Sequence, residues 1–486
     1  MIAILLDDCG FEQDVRELLM AFYPASTFTH EEKEAAEASI ILRGTQEKEG
    51  YSLSLEKKYA NGEHSLHVAS AKMNDQNRYL AKNSIKQTLY RLLREEEGKD
   101  LPWGTLTGIR PTKIAMTKFA EGMDETQVCD YMKDTYFTSD EKIALAVEVA
   151  EREAELLKTI DYENGYSLYV GIPFCPTTCL YCSFTSFPIG IWKNKTHLYL
   201  AALFKELDYV ADRMKDKTLD TVYFGGGTPT SLSAEDLEAI LCKLEDTFPM
   251  NAVQEFTVEA GRPDSITREK LAVLRKHGIT RISINPQTMK QSTLDLIGRH
   301  HTVEMVREQF FLARDMGFDN INMDLIVGLP EEDMADVTAT MEEIKKMAPD
   351  SVTVHSLAIK RAARLNMQKE QYSDLKIVNT QEMIDMTARY AKEMGLHPYY
   401  LYRQKNMAGN FENVGYAAPG KECIYNILIM EEKQTIMACG AGTTTKVLYP
   451  LENRLERAEN VKDVQQYIDR IGEMLERKER LIVKES

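Results

Sequence analysis

Positive charge is in short supply in this chain of 486 residues. Its 59 lysines and arginines stand against 76 aspartates and glutamates, and the formal net charge is −17. An acidic surface repels phosphate backbones and anionic membranes, so we expect no nucleic-acid partner. Long apolar runs are also missing, because no stretch approaches the roughly 18 apolar residues of a membrane-spanning helix. We therefore expect no membrane span.

The start of the chain lacks the features of a secretory signal. In MIAILLDDCGFEQD, acidic residues follow a short apolar run, and no basic segment precedes that run. We expect a cytoplasmic protein. In that reducing setting, clustered cysteines indicate a metal or redox site rather than disulfides.

Cysteine is scarce too, with eight in the whole chain. Five are scattered, and we expect buried structural thiols at Cys9, Cys129, Cys242, Cys423 and Cys439. The other three are concentrated in YVGIPFCPTTCLYCSF (169–184), with the spacing C-x3-C-x2-C, at Cys175, Cys179 and Cys182.

The ordinary interpretations of this triplet are weaker than an iron–sulfur cluster. A disulfide would leave one thiol over. A structural zinc site needs a fourth ligand, and the next histidine, His197, lies in a predicted helix fifteen residues on. Inert buried cysteines do not suit a segment that Pro173 and Pro176 make a turn. Thiolates are the usual ligands of a cubane cluster, whose full set is four, so three leave one iron open to another ligand.

The order of predicted elements indicates an α/β protein with three segments. Residues 1–160 form an N-terminal α+β module, which is β-rich to residue 73 and contains a hairpin at Asn61-Gly62. Residues 161–400 alternate strands with helices, which predicts a partial TIM-like (β/α)6 barrel. Residues 401–486 form a C-terminal extension. The six barrel strands are predicted at 166–171, 221–227, 255–261, 281–287, 321–330 and 351–358.

Glycines and polar residues follow the predicted barrel strands, at the end where such barrels carry their sites. The second strand ends in three glycines, 225–227, which permit a close backbone approach to a ligand. The third strand ends in Glu259 and the fourth in Gln287; Arg299 follows, and the fifth strand carries Asp324. A structural salt bridge explains any one of the charges, whereas together they suit a ligand with ammonium, carboxylate and diol groups.

These motifs resemble the radical S-adenosylmethionine (SAM) superfamily and, within it, the oxygen-independent coproporphyrinogen III oxidase family. The similar stretches are LYVGIPFC, YCSF, YFGGGTPT, FTVEAGRP, RISINPQ and DLIVGLP, which fall in order within about 165–400. The N-terminal module, TGIRPTK and the late CIYN and ACGAG segments resemble its HemZ-type subgroup. The resemblance implies a [4Fe-4S] cluster on Cys175, Cys179 and Cys182, with SAM on the open iron. It implies SAM contacts at Tyr169, Gly226, Gly227, Thr228, Glu259, Gln287, Arg299 and Asp324.

Some positions depart from the family pattern. Gly171 stands where the family usually has a histidine, and Phe184 stands where decarboxylating members have a further cysteine. We expect Phe184 to lie beside the cluster and shield it from water. Related haem chaperones carry a late His-Asn element, and the nearest match here is Tyr425-Asn426.

The family implies reductive cleavage of SAM and hydrogen abstraction from a tetrapyrrole, with an electron donor such as flavodoxin or ferredoxin. The expected reaction is oxidative decarboxylation of coproporphyrinogen III to protoporphyrinogen IX. Two alternatives stay open: a haem-binding chaperone without dehydrogenase activity, and a radical SAM enzyme acting on another tetrapyrrole. Substrate propionates could meet basic residues after the sixth strand, although a solvated face explains each one singly: Lys360, Arg361, Arg364 and Arg403.

Overall fold

The computed structural model describes residues 1–482 except 8–9, 25, 49, 73–76, 359–362, 369–371, 373, 405–410, 450–451 and 453. The chain forms two compact units. Met1–Glu151 and Leu401–Glu412 make the first, and Arg152–Tyr400 and Asn413–Ser486 make the second. Among the described helices, none combines the length and the apolar character that crossing a membrane needs.

The first unit is a sheet covered by helices. Its strands are β1 (Ile2–Leu6), β2 (Phe28–Thr29), β3 (Ile40–Glu47), β4 (Gly50–Lys58) and β5 (His64–Lys72). They are ordered β2-β1-β3-β4-β5, parallel from β2 to β3 and antiparallel from β3 to β5. The helices are α1 (Glu12–Phe22), α2 (Glu32–Ala35), α3 (Arg78–Glu97), α4 (Thr112–Ala120), α5 (Glu125–Tyr136) and α6 (Asp140–Leu157), which crosses into the second unit.

Local sequence explains where several of these elements end. Gly62, at φ +86°, lies in the predicted hairpin turn between β4 and β5. The Asn77 side chain accepts two backbone N–H groups at the start of α3, and Gly98, at φ +62°, ends the helix. The prediction of a β-rich start did not include α1. The buried residues of this helix recur at helical spacing: Val15, Leu18, Leu19 and Phe22.

The second unit carries the predicted barrel. The strands from residue 165 onward are β6 (Gly165–Ile172), β7 (Phe174–Cys175), β8 (Phe187–Pro188), β9 (Thr218–Gly226), β10 (Glu255–Glu259), β11 (Arg281–Ser283), β12 (Ile321–Val327), β13 (Ser351–Ser356), β14 (His397–Tyr402), β15 (Asn413–Ala417), β16 (Thr435–Cys439), β17 (Thr444–Tyr449) and β18 (Arg454–Glu459). The main sheet follows the order β14-β15-β13-β12-β11-β10-β9-β6-β16-β17-β18. The run from β13 to β6 is parallel, which confirms the six predicted strands and the partial barrel.

Helices connect the parallel strands, as crossover connections require. The helices of this part are α7 (Ile189–Trp192), α8 (Thr196–Arg213), α9 (Ala234–Thr247), α10 (Arg268–Lys276), α11 (Gln291–Leu296), α12 (Val303–Asp315), α13 (Met334–Met347), α14 (Arg364–Met367), α15 (Gln381–Glu393), α16 (Ile424–Glu431), α17 (Val464–Asp469) and α18 (Ile471–Ile482). Short 3-10 turns lie at Pro229–Ser231, Met250–Ala252 and Pro263–Ser265.

The C-terminal residues complete the sheet of the second unit. β16 pairs in parallel with β6, with Thr435 opposite Tyr166 and Cys439 opposite Val170. Residues 413–486 therefore share a compact unit with the barrel, whereas the sequence analysis treats 401–486 as a separate extension. Periodicity within 435–439 indicates a strand but not its partner, which lies more than 260 residues earlier.

The scattered cysteines only partly follow expectation. Cys423 and Cys439 are buried, as expected of structural thiols. Cys129 and Cys242 are half-buried, so the expectation is wrong for these two, because both lie on helix surfaces where one side of the side chain stays in water. Cys9 lies outside the described residues.

Candidate cofactor site

The three clustered cysteines lie in one loop at the carboxyl end of β6. Cys175 ends β7, Cys179 is buried and Cys182 is half-buried. Burial raises the pKa of the Cys175 thiol to about 11; the hydrogen bond to Thr228 lowers it, and the nearby Cys182 and Cys179 raise it further. A raised thiol pKa does not suit a nucleophile, whereas a bound metal ion deprotonates a coordinating thiol outright.

An arginine that the sequence analysis did not single out reaches this loop. Arg262 Nη1 lies 3.7 Å from Cys179 Sγ and 3.1 Å from Thr177 Oγ1. Asp264 holds the guanidinium through bonds of 2.9 Å from Nε and 2.7 Å from Nη2. The residue stands in the FTVEAGRP motif, but only the fold brings it beside a cysteine 83 positions earlier.

The glycine turn after β9 packs directly against the cysteine loop. Gly226 has φ +107°, a conformation that other residues rarely adopt. A Cβ on Gly227 would lie 2.6 Å from the Phe174 carbonyl oxygen and 3.0 Å from Cys175 Sγ. Thr228 Oγ1 lies 3.5 Å from the same sulfur. Glycine at 227 is thus required by the approach of the cysteine loop itself.

A stack of three tyrosines lies in the barrel beside this turn. Tyr223 stacks on Tyr425 at 4.5 Å between ring centroids, and Tyr169 lies 6.0 Å from each of them. Tyr223 donates its hydroxyl to Glu259 Oε1 at 2.6 Å. Burial raises the pKa of Glu259 to about 7, with Asp324 adding to the rise and the Tyr223 hydrogen bond and Arg281 opposing it. Glu259 therefore changes charge near neutral pH.

The Asp324 carboxylate is fixed by two asparagines. Asn285 Nδ2 donates to Oδ2 at 2.8 Å, and Asn322 Nδ2 donates to Oδ1 at 2.7 Å. His355 Nε2 lies 4.0 Å from Oδ2. Neither Asn285, two residues after β11, nor His355, the next-to-last residue of β13, was predicted as a site residue. The carboxylate is oriented without a full counter-charge, so it can receive a ligand's hydroxyl or ammonium group.

Arg299 joins the strand ends to the cysteine loop, and Gln287 lies beside Asp324. Arg299 Nη2 donates to the Gly261 and Asn285 carbonyls at 2.9 and 2.5 Å, and Nη1 lies 3.3 Å from the Tyr181 hydroxyl. Gln287 has φ +68°, and its main chain bonds to that of Asp324 at 3.0 Å. Gln287 Oε1 and Arg299 Nε are buried and make no hydrogen bond in the structure. Buried polar atoms without a hydrogen bond are rare in folded proteins, so these two atoms are candidates for hydrogen bonds to a ligand.

The positions that depart from the family pattern have local explanations. A Cβ on Gly171 would overlap the Thr443 methyl group, so a histidine does not fit there. Tyr425 is buried within the tyrosine stack. Phe184 is 70% exposed, so its ring does not form the shield over the cysteines that the sequence analysis expects.

Two of the four basic residues proposed for propionates, Arg364 and Arg403, lie within the described part of the chain. Arg403 is buried in the first unit, where Nη1 donates to the Leu106 carbonyl at 2.6 Å and the guanidinium lies over the Trp103 ring. That expectation is wrong for Arg403, because its buried guanidinium contacts the Leu106 carbonyl and the Trp103 ring. Arg364 is exposed at the start of α14. Lys360 and Arg361 lie outside the described residues.

The donor set fits an iron–sulfur cluster with SAM beside it. Three thiols without a carboxylate among them suit iron in a cluster rather than a hard cation. Beside them lie a glycine turn, an oriented carboxylate and two buried polar atoms that make no hydrogen bond. SAM offers an amino acid end and a ribose diol, and these are the groups such donors and acceptors recognise.

The fold and this site define a radical SAM barrel protein. Residues 169–344 match the family model described as the radical SAM superfamily. The barrel also matches the solved structure of coproporphyrinogen III oxidase (HemN) from Escherichia coli with a TM-score of 0.52 and 22% identity, covering 66% of this chain and 73% of that one. Proteins of this class use a [4Fe-4S] cluster and SAM as cofactors.

The chain belongs to the oxygen-independent coproporphyrinogen III oxidase-like family. It is 43% identical to the oxygen-independent coproporphyrinogen-III oxidase-like protein HemZ of Bacillus subtilis, over 80% of this chain and 78% of that protein. It is 30% identical to the haem chaperone HemW of the same organism, over 63% of this chain and 76% of the chaperone. The family thus includes proteins named for two different activities.

Proposed function

We propose that this protein is a radical SAM oxidoreductase that decarboxylates coproporphyrinogen III to protoporphyrinogen IX without oxygen. One observation carries the proposal: three thiols, a glycine turn and the polar residues Glu259, Gln287, Arg299 and Asp324 meet at one end of the barrel. The substrate class is taken from the names of relatives that share 43% identity or the same fold.

In this proposal, Cys175, Cys179 and Cys182 hold the cluster and leave its fourth iron for SAM. Arg262 donates toward Cys179 Sγ and offsets part of the negative charge that three thiolates bring into a buried loop. The turn at Gly226 and Gly227 brings backbone groups close to the SAM amino acid end. The chain's contribution is thus to bind, orient and shield the cofactors.

The remaining contacts divide between the two ends of SAM. Arg299 Nε and Gln287 Oε1 are buried and have no hydrogen-bond partner among the described residues. In this proposal, Arg299 binds the carboxylate of SAM and Gln287 binds the edge of its adenine. Glu259 and Asp324 suit the ammonium group and the ribose diol, because both are acceptors oriented by neighbouring donors. Tyr169 contributes its ring to the wall of the same end of the barrel.

Held by Cys175, Cys179 and Cys182, a cluster with SAM beside it would supply the one-electron chemistry for hydrogen-atom removal from the substrate. Two propionates must each become a vinyl group. Each therefore loses one β-hydrogen atom, one CO2 and one electron, and an external acceptor must take that electron. We assign the reducing electron to a small donor of the flavodoxin or ferredoxin type.

An anaerobic assay tests the proposal. Cluster-loaded protein is incubated with SAM, dithionite and coproporphyrinogen III, and the products are measured by mass spectrometry. The expected result is 5′-deoxyadenosine together with a tetrapyrrole that has lost two CO2. At limiting SAM, Asp324→Ala should strongly reduce the yield of both products while retaining iron. If SAM is cleaved but no CO2 leaves, the substrate is another tetrapyrrole.

A haem chaperone is the second candidate, and the relation to HemW favours it. Phe184 also occupies the position of a cysteine found in decarboxylating relatives, and a phenylalanine cannot exchange protons or bind metal. Against it, Tyr425 takes the place of the chaperones' late histidine and is buried between aromatic rings. Stoichiometric haem binding without turnover would favour the chaperone. A Phe184→Cys variant that gains decarboxylation would show that only this position separates the two activities.

A further inference from the structure

A second set of metal-ligating side chains lies on the outer helices of the barrel. Glu238, Cys242 and Glu245 share one face of α9, since they are spaced at i, i+4 and i+7. His277 faces them from the end of α10, just after Lys276. This position precedes β11, so the set lies toward the amino ends of the strands, whereas the cysteine loop lies at their carboxyl ends.

His277 is held as metal-binding histidines usually are. Its Nδ1 lies 2.8 Å from Glu245 Oε1, and a carboxylate on one ring nitrogen fixes the tautomer that leaves the other nitrogen as an acceptor. That other nitrogen, Nε2, lies 3.1 Å from Glu238 Oε2, but within the described residues no contact of this nitrogen has the geometry of a hydrogen bond. The side chain is only 4% exposed, so water does not solvate the nitrogen. A lone pair facing a carboxylate is unfavourable unless a cation lies between them.

We propose that Glu238, Cys242 and His277 form a zinc site, with Glu245 orienting the histidine. One ligand atom from each of the three residues lies within 4.8 Å of the others. Sulfur, imidazole nitrogen and carboxylate oxygen are the ligands that Zn²⁺ takes, and three protein ligands leave its fourth position to water. The mixed donor set excludes the hard cations Mg²⁺ and Ca²⁺ as preferred occupants.

The alternative occupant of this space is a proton. A charged His277 could pair with Glu238 and Glu245 at once, and Lys276 already pairs with Glu238 Oε1. In that arrangement the Cys242 thiol only donates a long hydrogen bond of 3.9 Å to Glu238 Oε1, which the ion pairs do not require. Lys276 is 65% exposed and can swing into water, which frees the carboxylate for a metal. The zinc site and the ion-pair arrangement therefore differ in the role of Cys242. Its thiol is a metal ligand in the first and is not needed in the second.

Zinc binding to the full-length, cluster-loaded protein tests the site. After dialysis against Zn²⁺ and removal of the excess, we expect one zinc per chain with the iron content unchanged. X-ray absorption at the zinc edge should show one sulfur at about 2.3 Å and nitrogen or oxygen at about 2.0–2.1 Å. Cys242→Ser should remove the sulfur signal and weaken binding at least tenfold, and His277→Gln should weaken binding at least tenfold while Cys242 remains as a sulfur ligand. Cys129→Ser, on a half-buried cysteine elsewhere, should change neither.

A second variant separates orientation from ligation. Glu245→Gln keeps all three ligands but weakens the hold on His277 Nδ1, so zinc affinity should fall about 10- to 100-fold with the sulfur signal retained. The proposal is overturned if wild-type protein binds no more zinc than Cys242→Ser, if the bound zinc shows no sulfur, or if zinc uptake displaces iron from the cysteine loop.

Discussion

The two ends of β10 carry the same residue type in opposite circumstances. Glu255, at the amino end, accepts the Ile424 and Tyr425 amides at 2.6 and 3.3 Å and the Cys423 thiol at 3.2 Å. Glu259, at the carboxyl end, has one hydrogen bond from Tyr223 and a pKa raised by burial to about 7. The two glutamates are four residues apart on one strand. Glu255 caps the start of α16, whereas Glu259 accepts a hydrogen bond from Tyr223 and has acceptor capacity left for a ligand.

The same contrast holds for the sheet around β10. At the amino ends of β6 and β9, Ser167, Gln434, Asp220 and Thr221 form a buried chain in which each polar side chain has a partner. At the carboxyl ends, Gln287 Oε1 and Arg299 Nε are buried without one. The buried chain at the amino ends of β6 and β9 therefore serves stability, whereas the polar groups at the carboxyl ends of the parallel strands are arranged for a ligand.

Removing a cysteine of the loop should have the largest effect. For Cys179→Ala, iron should fall from about four per chain to near background, because a cluster with two protein ligands is not retained. Cys175→Ala and Cys182→Ala should behave alike, and SAM cleavage should vanish with the colour. Iron analysis and the visible spectrum of anaerobically purified protein measure this. Cys129→Ala is the control, and retained iron in all three loop variants would contradict the assignment.

Replacing each glutamate of β10 with glutamine is the most direct test of the difference between the two ends of the strand. Glu255→Gln places an amide donor against the Ile424 or Tyr425 N–H, so the free energy of unfolding should fall by about 2–3 kcal/mol. Glu259→Gln should cost less than about 1 kcal/mol, because the amide oxygen still accepts from Tyr223. Urea denaturation measures both. Equal losses would show that the two ends do not differ in role.

Asp324→Ala should weaken SAM binding while leaving the cluster in place. Losing a charge-assisted contact should raise the Kd for SAM about 10- to 100-fold, equivalent to about 1.5–3 kcal/mol. Iron content should stay at the wild-type level, since Asp324 contacts asparagines and no cysteine. Asp319→Ala, an exposed carboxylate near the start of the same strand, is the control. Normal SAM binding by Asp324→Ala would remove this residue from the site.

The pH dependence of SAM binding should report Glu259. If the carboxylate is the form that receives SAM, affinity should fall about tenfold for each pH unit below the Glu259 pKa of about 7 and level off above it. The free energy of unfolding depends on pH in the opposite direction to SAM affinity. Because the folded protein holds this proton more tightly than an unfolded carboxyl of pKa 4.5, stability without SAM should decrease as pH rises from about 4.5 to about 7. Glu259→Gln should flatten both profiles, and an unchanged binding profile in that variant would assign the titration elsewhere.

The smallest effect is expected at Arg262. Replacing its guanidinium with the lysine ammonium keeps the charge but loses the forked geometry that reaches both Cys179 and Asp264. Arg262→Lys should leave iron content unchanged and shift the midpoint potential of the cluster to a more negative value, because a donor to a cluster sulfur is lost. A redox titration followed by electron paramagnetic resonance measures the shift. Arg268→Lys, exposed on α10, should leave the potential unchanged.

Much of the fold could be predicted because its signals are local. Apolar runs of strand length gave the six parallel strands, and Asn61-Gly62 and Gly98 marked a turn and a helix end by their conformational freedom. α1 was overlooked although its apolar spacing was visible, because short buried runs on both sides favoured strands. Cys242 was misjudged for a different reason: a lone cysteine gives no indication of what faces it.

The sequence by itself determined the ligand types of this protein: three thiols at C-x3-C-x2-C spacing, a glycine turn and polar residues within or after the strands that follow. These are properties of short segments, and short segments set backbone conformation and ligand type. The tertiary structure alone decided which distant groups complete the site. It brought β16 beside β6, Tyr425 onto Tyr223 and Arg262 to Cys179. Such pairings depend on the packing of the whole barrel, which periodicity along the chain does not encode.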